Sequence, residues 1–154
     1  MKVEKICFDL DGTLADLYAV ENWLAMLRSY DETPYRKAKP LVNMSLLAKE
    51  LNKIQKAGID IVIITALSKE PTPDYDKAVI RAKKLWLQEH LPSVAFDELH
   101  FIAYTDCKND CLLDTSTAIL FDDEERHREK WGGESYQPAD IFPILKQILK
   151  GDDL

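Results

Sequence analysis

The stretch IDIVIIT, residues 59–65, is a run of β-branched residues in which only Asp60 is charged. Such a run marks a strand covered on both faces, as in the parallel sheets of α/β proteins. The flanking chain alternates strand and helix patterns around it. Val3 to Phe8 reads as a first strand, LHFIAY (99–104) as a third and TAILFDD (117–123) as a fourth, with a short fifth near Glu134 to Tyr136. Between them, SLLAKELNKIQKA (45–57) sets Leu47, Leu51 and Ile54 on one helical face and meets a stop at Gly58. A longer helix, with Asp74 as its cap, carries Tyr75, Val79, Ala82 and Trp86 at helical spacing. DIFPILKQILK (140–150) makes a last helix, and GDDL a solvated tail. Strands separated by helices predict a parallel α/β sheet with right-handed crossovers.

The 154 residues fit one domain, 1–154, long enough to bury a core. No apolar run approaches the roughly 20 residues of a membrane span, and the N-terminus lacks the apolar region of a signal peptide. A cytoplasmic location is the expectation. The net charge is −7, with 27 acidic against 20 basic residues, so extended nucleic-acid binding is not expected. A phosphate substrate would need a cation to bring it in. CKNDC (107–111) has a CxxxC spacing that, with His100 or His127, resembles half a zinc site. Only two thiols cluster and no second pair exists, so Cys7, Cys107 and Cys111 are read as free and reduced.

Residues 16–44 break the alternation. They hold a helical piece with Val20, Trp23, Leu24 and Leu27, then YDETPYRKAKPLVNM, interrupted by Pro34 and Pro40. They read as a small insertion over the carboxyl edge of the sheet, where ligands bind in such folds.

Two strands end in acidic pairs. In ICFDLDGTLAD (6–16), Asp9 and Asp11 are two residues apart and project to one side of an extended chain, and Gly12 permits a sharp turn. In ILFDD (119–123), Asp122 and Asp123 follow the fourth strand. Parallel strands align their carboxyl ends, so the pairs converge. Carboxylates crowded this way repel one another unless a hard cation such as Mg²⁺ sits among them, keeping waters and accepting phosphate oxygens. One carboxylate can also attack phosphorus. Thr65, ending the second strand, can donate to a phosphoryl oxygen, and Lys108 can neutralise phosphate or nucleophile; Lys69 and Lys83 are rivals for that role.

DLDGT, IVIIT, a basic residue and ILFDD, in that order, resemble the haloacid dehalogenase-like superfamily over residues 3 to 150. The resemblance implies a Rossmann-like core, its five strands in the order 5-4-1-2-3, with 16–44 as a small helical cap. It implies Asp9 as nucleophile and Mg²⁺ ligand. Asp11 becomes the general acid and then the base, its carbonyl also on the metal. Asp122 is the remaining protein ligand, Asp123 supports it or the metal waters, and Thr65 and Lys108 hold the phosphoryl group. The implied reaction is Mg²⁺-dependent phosphomonoester hydrolysis through phospho-Asp9, since carbon–halogen cleavage needs no acid at Asp11.

DLDGTLADLY, KPLVNM, AKKLWLQEHLP and FDDEERHREKWGG are similar to stretches of the 5′(3′)-deoxyribonucleotidases and their bacterial and phage relatives. That likeness implies a nucleoside monophosphate as the small-molecule partner, with Tyr18, Trp23, Tyr30 and Tyr35 available to stack on a base and Arg36 to meet a phosphate or base edge. Another small phosphomonoester, a nucleic-acid 3′-phosphate end, or a non-catalytic phosphate- or metal-binding module are the alternatives.

Overall fold

A computed structural model describes residues 1–154. The chain runs β1 (Lys5–Phe8), β2 (Ala15–Asp16), α1 (Trp23–Arg28), α2 (Thr33–Lys37), β3 (Lys39–Pro40), α3 (Met44–Lys56), β4 (Asp60–Ala66), α4 (Pro73–His90), β5 (Glu98–Ile102), β6 (Ala118–Phe121), α5 (Glu125–Lys130), β7 (Ser135–Tyr136) and α6 (Ile141–Lys150). Five of the strands form one sheet in the order β5-β4-β1-β6-β7, and every pairing in it is parallel. Numbered along the chain among those five, this is the expected 5-4-1-2-3 order, read from the opposite edge. This α/β architecture is the Rossmann-like one that the resemblance implies.

Alternate residues of the inner strands enter different apolar layers. Ile6, Phe8, Ile61, Ile63, Ile119 and Phe121 pack with Leu47, Leu51 and Ile54 of α3, Trp86 of α4 and Ile141 and Leu145 of α6. Cys7, Val62, Ile64, Ala118 and Leu120 face the other way and meet Trp131. Coverage of both faces is why β4 shows no polar alternation. No helix is long and apolar enough to cross a membrane.

Helix ends follow local chemistry. Asn43 accepts from the Leu46 amide at 3.0 Å and caps α3, while Gly58 ends that segment at φ +87°. For α4 the expected cap is corrected: Thr72, not Asp74, accepts from the Tyr75 amide at 3.1 Å, and Pro73 takes the first helical position. Asp74 lies inside the first turn, where its charge favours the helix dipole.

Residues 16–44 contain two short helices, α1 and α2, rather than one, and β2 and β3 pair antiparallel as a two-residue ribbon at their base. Leu17 and Tyr35 pack with Tyr75, Val79 and Ala82 of α4. The indole of Trp86 donates to the Ala38 carbonyl at 2.7 Å in a fully buried contact. The segment is thereby fixed to α4.

Candidate active site

Register alone brings the two acidic pairs together. Phe8 is paired with Phe121 and with Ile63, so the residues just beyond, Asp9 and Asp122, leave the sheet side by side, with Thr65 nearby on β4. The Asp9 amide donates to the Phe121 carbonyl at 2.9 Å and continues the ladder by one residue. Carboxylate oxygens of Asp9, Asp122 and Asp123 lie within 4.8 Å of one another.

The turn after Asp9 is built around Gly12, at φ +81°. A Cβ there would also overlap the Asp123 carboxylate, so glycine is required for conformation and for space. Thr13, fully buried, donates to Asp9 Oδ2 at 3.0 Å and accepts from the Asp123 amide at 3.1 Å, tying the two acidic strand ends together. The spacing does not single out Thr13. Its signal is a small β-branched hydroxyl directly after the turn glycine.

Two buried lysines divide the acids between them. Lys108 Nζ lies 2.8 Å from Asp9 Oδ1 and 2.6 Å from Asp122 Oδ2, on a short 3₁₀ turn covering Lys108–Cys111. Lys83, on α4, lies 2.8 Å from Asp11 Oδ2 and 2.6 Å from Thr65 Oγ1. Lys69 contacts neither acid; its ammonium stands 5.8 Å from the Tyr104 ring centroid. Of the three candidate lysines, Lys108 is the one beside Asp9.

Electrostatics sort the carboxyls. Burial opposes ionisation of Asp9, yet the adjacent Lys108 charge and hydrogen bonds outweigh it and hold Asp9 below the usual carboxylate range. Burial raises Asp11, against the pull of Lys83. Asp122 is pushed up to about 6 by burial and by the Asp9 charge. Asp123 is pushed up to about 8 by burial and by its contact with Asp9. Three clustered carboxylates that resist ionising together are an all-oxygen donor set suited to a hard divalent cation. Asp9, Asp122 and Asp123 could hold such a metal.

A pocket of about 320 Å³ opens onto these groups, shared by Asp9, Asp11 and Lys108 and by Tyr18, Trp23 and Tyr35 of the 16–44 segment. Tyr18 and Trp23 meet edge to face, with centroids 5.0 Å apart. Tyr30 and Arg36 are not brought there. Tyr30 packs against Tyr75, and Arg36 pairs with Glu89 and lines a separate groove with Lys77 and Arg81. Ser68, Tyr104 and His127 line the main pocket without having been singled out by motif spacing. Burial and the Lys108 charge push His127 down to about 4, so it is neutral at neutral pH.

No protein-family model matches the sequence, and no curated protein does. Among solved structures, D,D-heptose 1,7-bisphosphate phosphatase from Burkholderia thailandensis is similar, with a TM-score of 0.53 and 14% identity over 84% of this chain and 74% of that one. An uncharacterised protein from Corynebacterium glutamicum is similar over 99% of this chain and 98% of its own, with a TM-score of 0.50 and 15% identity. At these identities the likenesses show a shared fold: the parallel α/β architecture of this chain is one that a known phosphatase also has.

Proposed function

We propose that the protein is a Mg²⁺-dependent phosphatase that hydrolyses small phosphomonoesters through a phospho-Asp9 intermediate, with nucleoside monophosphates as the preferred class. The observation that carries this reading is the pairing of an ionised, Lys108-bound Asp9 with a raised Asp11 at one pocket. A nucleophile and a proton donor drawn from the same short turn are what two-step phosphoryl transfer asks for.

Asp9, Asp122 and Asp123, with the Asp11 carbonyl, would hold Mg²⁺. When bound, it supplies charge neutralisation to the phosphoryl oxygens and to the carboxylates around it. The chain's own residues do the rest. The Asp9 carboxylate attacks phosphorus as the ester bond breaks, and Asp11 gives its proton to the leaving oxygen. Asp11 then takes a proton from the water that attacks phospho-Asp9, which frees inorganic phosphate and restores Asp9. Lys108 has used two of its three N–H donors on Asp9 and Asp122, leaving one for a phosphoryl oxygen. The 16–44 segment would act as a cap, its Tyr18 and Trp23 offering aromatic surface to a base or sugar.

The test is phosphate release from 5′- and 3′-deoxynucleotides, sugar phosphates and a 3′-phosphorylated oligonucleotide, with and without Mg²⁺, by wild type and Asp9→Asn. Deoxynucleotides leading the panel about tenfold, with Asp9→Asn inactive, is the expected result; about tenfold is one pocket contact's worth of discrimination. Equal, slow hydrolysis of all esters would remove the nucleotide preference and keep the chemistry. No turnover at all would remove the enzyme.

A further inference from the structure

We infer that Lys83 is a positioning residue for the acid–base step, aiming Asp11 and Thr65 together; the inference rests on the phosphatase reading above. Lys83 is 0% exposed although it carries a charge. Its ammonium meets three acceptors: Asp11 Oδ2 at 2.8 Å, Thr65 Oγ1 at 2.6 Å and the Ala66 carbonyl at 2.7 Å. An ammonium has three donors and no acceptor, so Lys83 has nothing left to offer a ligand. Lys108 keeps one donor free. The two buried lysines therefore have different jobs: Lys108 can touch substrate, and Lys83 can only hold protein groups.

Holding them fixes two directions. Lys83 occupies Oδ2 of Asp11, which leaves Oδ1 to face the leaving group. Lys83 also donates to Thr65 Oγ1, and no protein group accepts the Thr65 hydroxyl hydrogen. That hydrogen is free to point at a phosphoryl oxygen. The ring of Tyr35, its centroid 4.8 Å from the ammonium, covers Lys83 from the 16–44 segment. A desolvated charge enclosed in this way does not leave its acceptors cheaply.

One proton depends on this aim. As an Asp9 oxygen bonds to phosphorus, the ester P–O bond breaks, and the leaving oxygen keeps the electron pair and takes its proton from Asp11 Oδ1. A sugar alkoxide is a poor leaving group and needs that proton. p-Nitrophenolate is stable without it. A variant that merely loosens the fold slows both esters alike, whereas a misdirected Asp11 slows the alkyl ester selectively.

The experiment compares kcat/KM for p-nitrophenyl phosphate and for the best-hydrolysed alkyl phosphomonoester of the panel, with Mg²⁺, in wild type and Lys83→Met. Expected is a loss of about 100-fold on the alkyl ester and under about 10-fold on the aryl ester, the range of general acid catalysis. Equal losses on the two esters, or none, overturn the positioning role while leaving the phosphatase reading intact. Failure of the wild type on both esters overturns that reading, and the positioning role with it. Should circular dichroism show Lys83→Met unfolded, Lys83→Gln, which keeps a donor without the charge, takes its place: a selective alkyl-ester loss supports the positioning role, and equal losses or none overturn it.

Discussion

Gly12 and Asp123 approach so closely that a single added methyl would overlap the carboxylate. Two residues 111 positions apart in the chain thus share one small volume, and the turn that presents Asp11 is shaped by an acid from the end of the neighbouring strand, β6. Gly12→Ala is therefore expected to do more than strain a residue at φ +81°, which alone costs about 1 kcal/mol. It should also displace Asp123 and weaken Mg²⁺ binding about tenfold or more, the scale of disturbed metal-site neighbours. Calorimetric titration with Mg²⁺ measures this, and an unchanged affinity would separate Asp123 from the metal.

Thr13→Val keeps the shape of the side chain and removes its hydroxyl. The Asp123 amide then loses its acceptor and Asp9 loses a donor, in a partly buried setting. A loss of about 1–3 kcal/mol is expected from the stranded amide alone. Urea unfolding of the metal-free protein reads it directly. A variant as stable as wild type would mean that solvent already satisfies these groups.

The acid cluster gives the metal-free protein a definite pH dependence. Asp122 and Asp123 keep their protons to about 6 and about 8 in the fold, whereas unfolded Asp titrates near about 3.9. Between those limits the folded state binds more protons than the unfolded state, so stability falls as pH rises through the window. Asp9, shifted downward, contributes with the opposite sign below that window, and His127, held down to about 4, does so between about 4 and about 6.5, offsetting only part of the fall. Melting temperature without Mg²⁺ should drop by several degrees from about pH 5 to about pH 8. Added Mg²⁺ should recover more at the upper end, where the ligands are ionised. A flat or rising profile would contradict the clustering of these carboxyls.

Trp86→Phe tests the tie between α4 and the 16–44 segment. The phenyl ring keeps most of the packing but leaves the Ala38 carbonyl without its donor. A cost of about 1–3 kcal/mol is expected, with KM rising more than kcat falls, because the change loosens the pocket wall and not the acids. A pure kcat effect would place Trp86 in the chemistry instead.

What could be read from the chain, and what could not, follows from how locally each feature is encoded. The five strands were legible because β-branched runs and acidic strand ends are patterns within a few residues; their order came from the superfamily resemblance, and parallel register then forces residues 9 and 122 together. The β2–β3 ribbon is two residues per strand and has no period to detect. Thr72 displaced Asp74 as the cap because Pro73 prefers the first helical position, a preference stronger than that for an acid. Arg36 reads as a substrate contact until α4 supplies Glu89 as its partner. Lys83 did carry a signal: it lies four residues after Val79 and three before Trp86, on the buried stripe of α4, where a charge requires an acidic partner. The identity of that partner, Asp11, was encoded 72 positions away.

The two-residue ribbon has a consequence for how this protein can diversify. It is a seam: the chain leaves the sheet edge at Ala15–Asp16 and returns beside the same point at Lys39–Pro40, so the intervening residues form a nearly closed excursion. An excursion with adjacent ends can be lengthened, shortened or exchanged without moving the register of the five-stranded sheet. Among the ties to α4, two at buried groups limit that freedom most, the Tyr35 ring over Lys83 and the Ala38 carbonyl on Trp86. A replacement that keeps both inherits the reactive centre intact, and one that drops either must find another cover for a buried cation or another acceptor for a buried indole.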